Sequence, residues 1–394
     1  MRSLILDVET TISNKGNPFD ESNKLCYIGL LGTDKQTYNQ SKLYSIEYTD
    51  EPYRSKLEEV QKEIDEAEIL VGFNIKFDLH WLRKYGINFV GKRIWDCQLV
   101  HFILTGQQNP YPSLNGVASY YDLGSKLDVV ATEYWGNKID TPSIPKDILE
   151  EYLIGDLQLT QKVYNKQMEE FALCAKPMQR LISLHNQDLM VLQEMEYNGI
   201  LYDEEGCSTG ATDLQDRIKV IDKELYSSHL LPEFNPASGE HISALLYGGT
   251  IKVKRREVIG LFKTGERKGQ AKEKWVEHAI QFPRLITPLK GSELEKEGFF
   301  STDEATLKSL KGTKKAKDLI ELLLVRSILE KRLTTYYQGL VELRTSMNWP
   351  VNKLHGQLNQ CVARTGRLSS SKPNLQNFDG EIKQLFGSRY AVTS

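Results

Sequence analysis

Three short apolar runs fall within the first seventy-four residues: LILDV (4–8), LCYIGLLG (25–32) and EILVGFN (68–74). They are set apart by polar stretches and by one amphipathic helical pattern at 54–67. Runs this short suit strands buried in a sheet, because helices ordinarily need ten or more residues. Strands alternating with helices predict an α/β domain with a mixed sheet. A helix is expected from near Lys76, with Phe77, Trp81 and Tyr85 on one face. After a Gly-, Pro- and Asn-rich connection around 106–116, a long helix is expected from about Pro145 to Phe171. The pattern changes near residue 180 and becomes mostly helical. Leu322, Leu329, Tyr336 and Leu343 recur at sevens, the spacing of a long helix packed against a partner.

A chain of 394 residues is expected to form two or three domains, each with its own core. The net charge of -3 hides an asymmetry. Residues 1–180 carry 20 basic and 26 acidic side chains, leaving 30 and 27 in the remainder. Within that remainder, residues 251–275 hold nine basic and three acidic groups, which suits either a solvated surface or a phosphate-backbone contact. The five cysteines are scattered and never spaced as C-x-x-C, so neither a disulfide framework nor a zinc site is indicated. No apolar run approaches the length of a membrane helix, and the amino terminus lacks a small-residue cleavage site. A cytoplasmic protein with no membrane partner is expected.

Three carboxylate clusters carry the chemistry of the first half. Asp7 and Glu9 are two apart on an expected strand, so both point to one face. Asp78 opens the helix that follows the strand ILVGFN, and Tyr152 and Asp156 are four apart on one helical face. Each cluster alone has an ordinary reading as a strand end, a helix cap or a core-and-surface pair. Phe77, Trp81 and Tyr85 suit base stacking but at this spacing read better as core, and Asp96 suits either a supporting carboxylate or a loop residue.

A second feature is Thr365 to Phe378, TGRLSSSKPNLQNF. Arg364, Arg367, three serine hydroxyls, and the amides Asn374, Gln376 and Asn377 crowd a short stretch, a composition that binds phosphates and base edges or forms a plain surface loop.

The wording of that segment closely resembles the approach to the palm of family A DNA polymerases, a group with bacterial and bacteriophage members. The ordered set Asp7, Glu9, Asp78, Tyr152 and Asp156 resembles the exonuclease motifs of the family's proofreading domain, in the Tyr-containing DEDD form. The stretch Tyr111 to Lys126 is similar to the family's helix and loop between the second and third motifs. LQEMEYNGILYD (192–203), FNPASG (234–239), FSTD (300–303), the helix with Arg326 and Tyr336, and LHGQLNQC (354–361) match further landmarks in order.

The resemblance implies a ribonuclease H-like exonuclease domain at 1–180, a helical thumb-like region at 181–350 with a basic insertion near 251–275, and an incomplete palm at 351–394. It makes Asp7, Glu9, Asp78 and Asp156 ligands of two Mg²⁺ or Mn²⁺ ions, with Tyr152 orienting the attacking water. Hard oxygen ligands suit these ions, and a pair about 3.5 to 4 Å apart stabilises both the entering and leaving oxygens of a phosphodiester. Thr10 and Asn74 fall near the terminal nucleotide. His355, Gln360, Arg364, Arg367, Asn374 and Gln376 fall near primer-template DNA. In the family a palm strand and a metal-binding Asp follow Ile382 to Phe386. Here Tyr390 to Ser394 follow instead, and the resemblance leads to the expectation that the 5′ nuclease domain of some bacterial relatives is absent. The expected function is therefore the N-terminal part of a bacteriophage-like family A polymerase, active as a 3′–5′ exonuclease on single-stranded 3′ ends. A second polypeptide with palm and fingers would complete it, and a processivity factor is a further candidate partner. A stand-alone exonuclease and a noncatalytic replisome component are the alternatives.

Overall fold

The computed structural model describes residues 2–33, 40–126, 128–228 and 230–387. The expected chain end at Tyr390 to Ser394 lies outside the described residues. The chain divides into two compact units, Met1–Glu204 with Leu340–Ser394, and Glu205–Gly339.

The first unit is built on a five-stranded mixed sheet in the order β3-β2-β1-β4-β5. Its strands are β1 (Ser3–Thr10), β2 (Leu25–Gly32), β3 (Ser41–Ser45), β4 (Ile69–Gly72) and β5 (Arg93–Asp96). The three apolar runs became β1, β2 and β4. Strands β1, β2 and β3 pair antiparallel, whereas β1, β4 and β5 run parallel. Helices α1 (Arg54–Glu66), α2 (Lys76–Lys84), α3 (Cys97–Leu104), α4 (Leu114–Tyr120), α5 (Lys146–Leu173) and α6 (Lys176–Asn198) complete this part. Leu4, Ile5, Leu6, Ile28, Leu30, Val71, Leu153 and Leu157 are among the side chains of one continuous core. The parallel β4 is buried along its whole length, as expected of a strand covered on both faces.

Helix α6 stops at Gly199, whose φ of 66° is available to glycine without a Cβ clash. The next strand, β6 (Ile200–Tyr202), takes partners from the far end of the chain. It pairs with Lys353–Leu354 on one side and Phe386–Gly387 on the other. These pairings are why residues 340–387 join the first unit instead of forming a third segment after residue 350.

The second unit contains α7 (Glu204–Ser228), α8 (Gly239–Tyr247), α9 (Glu304–Ser309) and α10 (Lys314–Arg332), together with a long antiparallel ribbon of β7 (Gly249–Leu261) and β8 (Ala271–Phe282). Ser238 and Asp303 cap α8 and α9 by accepting backbone N–H groups, so the FNPASG and FSTD segments both serve as helix starts. The core here joins Leu225, Phe234, Leu246, Tyr247, Ile251, Leu319 and Leu323. Asp222 and Arg326 form a two-pronged ion pair at 2.6 and 3.3 Å. The sevenfold repeat lies on α10 and its continuation, which widens into a π-turn at Leu333–Tyr337. No helix among the described residues is long and apolar enough to cross a membrane.

Candidate active site and nucleic-acid interface

Strand alternation puts Asp7 and Glu9 on the face of β1 that α5 covers. Asp7 lies opposite Gly29 of β2, and a Cβ at Gly29 would stand 2.8 Å from Leu157 and 2.9 Å from Leu153. A missing side chain on β2 thus lets α5 approach the sheet closely enough to hold Asp156 beside Asp7. Ligand oxygens of Asp7, Glu9 and Asp156 come within 4.8 Å of one another, and among the described residues they form the only such cluster of potential metal ligands.

Asp78 joins them from α2. The β1–β4 ladder ends at Ile5 and Val71, so the N–H of Val8 needs another acceptor, and the Asp78 carboxylate takes it at 3.0 Å. One hydrogen bond therefore fixes α2 against the end of β1. Asp78 is 2% exposed and Glu9 5%, while Asp7 is partly open to a cleft of about 490 Å³. Thr10, Lys15, Phe73, Asn74, Phe77, Trp135 and Tyr152 line the same cleft.

Four carboxylates so close cannot all ionise easily. Burial, then repulsion by Asp156, pushes the Asp7 carboxyl well above the usual range. Burial followed by Asp7 does the same to Glu9 and to Asp78. Asp156 is raised by burial and partly relieved by Lys126, whose Nζ donates to its carboxylate and lies 3.8 Å from the Tyr152 ring centre. Among the described residues Lys126 is the one ammonium paired with these four carboxylates, which leaves a deficit of positive charge that divalent cations fit, and the donor set is all hard oxygen. Burial, then the charges of Asp156 and Glu9, drives the Tyr152 phenol far upward, so it remains a neutral donor beside Asp156.

Thr10 is buried, its backbone O accepting from Thr141 Oγ1 at 2.5 Å, while Asn74 is exposed at the cleft edge with φ 58°. Of the three aromatics, Trp81 is fully buried and donates to Gly16 O, Tyr85 bonds Glu47 and the Leu25 amide, and Phe77 alone reaches the cleft. Asp96 is buried and accepts the N–H groups of Asn74, Ile75, Gln98 and Leu99, so it anchors the start of α2 and caps α3. Lys126 closed the quoted Tyr111–Lys126 segment, yet no spacing signalled that it would reach Asp156. Trp135, packed edge-on against Tyr152 at 5.5 Å, gave no sequence signal either.

The C-terminal residues are arranged differently. After β9 (Lys353–Leu354), strands β10 (Gln357–Asn359) and β11 (Ser369–Ser371) pair antiparallel. His355 is 5% exposed, donates to Glu196 O at 2.9 Å and stacks on Phe19 at 4.0 Å. Gln360 donates to His185 O at 3.0 Å. Both side chains expected near DNA are thus engaged in packing. Arg364, Arg367, Asn374 and Gln376 are exposed; Arg364 bonds Gln108, Gln376 donates to Leu368 O at 2.7 Å, and Asn374 caps the turn at 375–377.

One buried carboxylate connects the two regions. Glu196 accepts Lys76 Nζ at 2.6 Å, His80 Nε2 at 2.8 Å and the Leu358 amide at 2.6 Å, and Lys76 also donates to Leu358 O. Burial would raise Glu196, but His80 and Lys76 outweigh it and hold the carboxyl low.

Comparison with known proteins places this architecture. Residues 278–392 match the family described as DNA polymerase family A. DNA polymerase I of Synechocystis sp. is 26% identical over 323 residues, covering 79% of this chain and 28% of that protein. DNA polymerase I of Aquifex aeolicus is 23% identical over 377 residues, covering 90% and 52%. Over these stretches the chain is similar to family A DNA polymerases. The fold is similar to that of the POL domain of Pol1 from M. smegmatis, solved in complex with DNA primer-template and dNTP, at a TM-score of 0.65 and 16% identity. That match takes in 98% of this chain and 54% of the other. The chain therefore spans between about a quarter and a half of these polymerases' length.

Proposed function

We propose that the first unit is a ribonuclease H-like 3′–5′ exonuclease that removes nucleotides from single-stranded DNA ends, within a protein that serves DNA synthesis. The observation carrying this reading is the convergence of Asp7, Glu9 and Asp156 within 4.8 Å, with Asp78 fixed alongside by Val8. The sheet order supports the same fold class, and the cleft is of a size that ordinarily takes a small ligand.

Asp7, Glu9 and Asp156 would hold Mg²⁺ or Mn²⁺ ions, with Asp78 supporting a second ion. Such ions, when bound, acidify water and stabilise charge on a scissile phosphate. The protein's own part is orientation. Tyr152, kept protonated by its surroundings, donates a hydrogen bond toward the reacting oxygens and does not act as a base. Phe77 offers an apolar surface to the terminal base, with Thr10 and Asn74 at the rim. Lys126 balances part of the carboxylate charge.

The second part of the reading concerns primer-template DNA, bound through Arg364, Arg367, Asn374 and Gln376. Nucleotide addition requires metal-binding carboxylates beside them, and the described residues supply no second cluster of that kind. Those groups must come from outside the described residues, in the manner of a partner carrying palm and fingers.

The deciding experiment follows a 5′-labelled single strand in Mg²⁺. Stepwise shortening from the 3′ end by the wild-type chain, lost in Asp7→Ala and Asp156→Ala variants with unchanged circular dichroism, is the expected result. Wild-type rates in either variant would overturn the assignment.

A further inference from the structure

The loop that leaves β1 brings to the cleft a cation that the chemistry above does not use. Lys15 lines the same cleft as Asp7 and Glu9 and is exposed to solvent, and its ammonium has no carboxylate or carbonyl partner among the described residues. Lys126 differs in this respect. Its ammonium is committed to Asp156, whereas that of Lys15 is open to a group from outside.

An exposed lysine on a turn is ordinarily a solvated surface group, and its backbone then keeps to the common regions of φ and ψ. Here it does not. Asn14 and Lys15 have φ 46° and 61°, left-handed values that asparagine visits readily and lysine seldom. The surroundings hold them there. Asp20, 1% exposed, accepts Ser13 Oγ at 2.9 Å, Asn14 Nδ2 at 2.8 Å and Asn348 Nδ2 at 2.9 Å. Asn23 Nδ2 donates to Ser13 O at 2.7 Å, and Trp81 Nε1 to Gly16 O at 3.0 Å. The residues on either side of Lys15 are thereby tied to the interior, while the Lys15 side chain is given to none of them. Backbone strain maintained in this way gathers at ligand clamps.

Charge indicates what is clamped. The cleft is floored by carboxylates that take cations, so a free ammonium at its mouth meets an anion that arrives with the substrate. A lysine is a point charge without the planar fork of arginine, which suits the phosphate of a flexible strand better than one particular base edge. In the proposed reaction the phosphate to be cut lies against the carboxylates. Lys15 is exposed and makes no contact with them, so it faces a different phosphate of the same strand.

We propose that Lys15 binds a non-scissile phosphate of the single strand and so makes the exonuclease selective for chains over dinucleotides. The inference rests on the exonuclease reading above. Such a contact is equal in the bound strand and in the transition state, so it acts on KM and not on kcat.

The test uses the full chain and 5′-labelled oligonucleotides in Mg²⁺. Lys15→Ala should raise KM about tenfold at unchanged kcat and circular dichroism, and Lys15→Arg should keep KM near the wild-type value. In Ca²⁺, fluorescence anisotropy of the same strand should show Kd raised by the same factor in Lys15→Ala. The salt slope should be smaller by about 0.7, the value of one phosphate contact on a single strand. A dinucleotide carries only the phosphate that is cut, so its hydrolysis should not depend on residue 15. In longer strands, a neutral methylphosphonate at one of the first three uncut linkages should cost the wild-type chain what Lys15→Ala costs, and cost the variant nothing more. Wild-type KM in Lys15→Ala, a loss in kcat alone, or an equal loss on the dinucleotide each overturn the proposal. The Ca²⁺ titration needs no turnover, so a chain that binds through Lys15 and cuts nothing would refute the exonuclease reading, whereas cutting that ignores Lys15 would refute this contact alone.

Discussion

The carboxylate site and the Arg364–Gln376 segment lie in the same compact unit and are built on opposite principles. Asp7, Glu9, Asp78 and Asp156 sit on one strand and two helices, each fixed by burial or by a backbone donor. Arg364 and Arg367 extend from a short hairpin into solvent. Electrostatic stabilisation depends on groups that need not reorganise as charge develops, and the first region meets that condition on its own. Groups in the second are exposed and held by few contacts, Arg364 to Gln108 and Gln376 to Leu368 O, so their geometry is not locked by a surrounding core. The difference separates a buried, preorganised cluster from an exposed, adaptable surface.

The strongest way to break this contrast is at the carboxylates. Asp7→Ala and Asp156→Ala should lower exonuclease turnover on the order of a thousandfold, since each removes several kcal/mol of charge stabilisation, and Mn²⁺ binding followed by calorimetry should weaken in parallel. Breaking the hub is next. Glu196→Gln removes the negative charge that Lys76 and His80 share and puts an NH₂ donor where one acceptor oxygen stood, and should cost about 3 kcal/mol in denaturant unfolding, whether or not DNA is present. Tyr152→Phe should reduce kcat about tenfold to a hundredfold with little change in stability, the value of the one hydrogen bond its phenol is proposed to give the reacting oxygens.

Gly29→Ala sharpens the comparison without touching a ligand. The added methyl meets Leu153 and Leu157, should cost about 1 to 3 kcal/mol, and should weaken metal binding by pushing α5 away from β1. Arg367→Ala should leave stability within about 0.5 kcal/mol of wild type and affect primer-template binding alone. A pH titration gives a further test. Burial lowers the His355 pKa to about 4, below its value in the unfolded chain, so the unfolded state binds the extra proton first. The stability owed to neutral His355 is complete above about pH 6.5 and declines as pH falls toward 4, and His355→Gln should flatten that part of the curve.

Much of the carboxylate region was legible because strand and helix periods place residues two or four apart on common faces. Asp7 with Glu9, and Tyr152 with Asp156, needed only that geometry, and β1, β2 and β4 followed from three apolar runs, whereas β3 and β5 did not. Lys126 was illegible because it reaches Asp156 across a chain separation that no period encodes. The roles of Gly29 and Asp96 depend on what packs opposite them, which is tertiary information. His355 shows the converse. Its motif suggested a DNA contact, yet Phe19 and the Glu196 carbonyl, both remote in sequence, draw it into the interior. The division of the chain was also hidden, because the two-residue and three-residue strands that return residues 353–387 to β6 are too short to show a pattern.

The Glu196 carboxylate has a consequence for how such a protein can change over generations. Lys76 and His80 belong to the helix of Asp78, and Leu358 belongs to the strand that leads toward Arg364. Whatever befalls residue 196 is felt by both at once. A lineage that no longer needed the carboxylate cluster could lose Asp7 or Asp156, but it would still have to keep the carboxylate that steadies the other end, so the scaffold around the cluster should outlive the cluster itself.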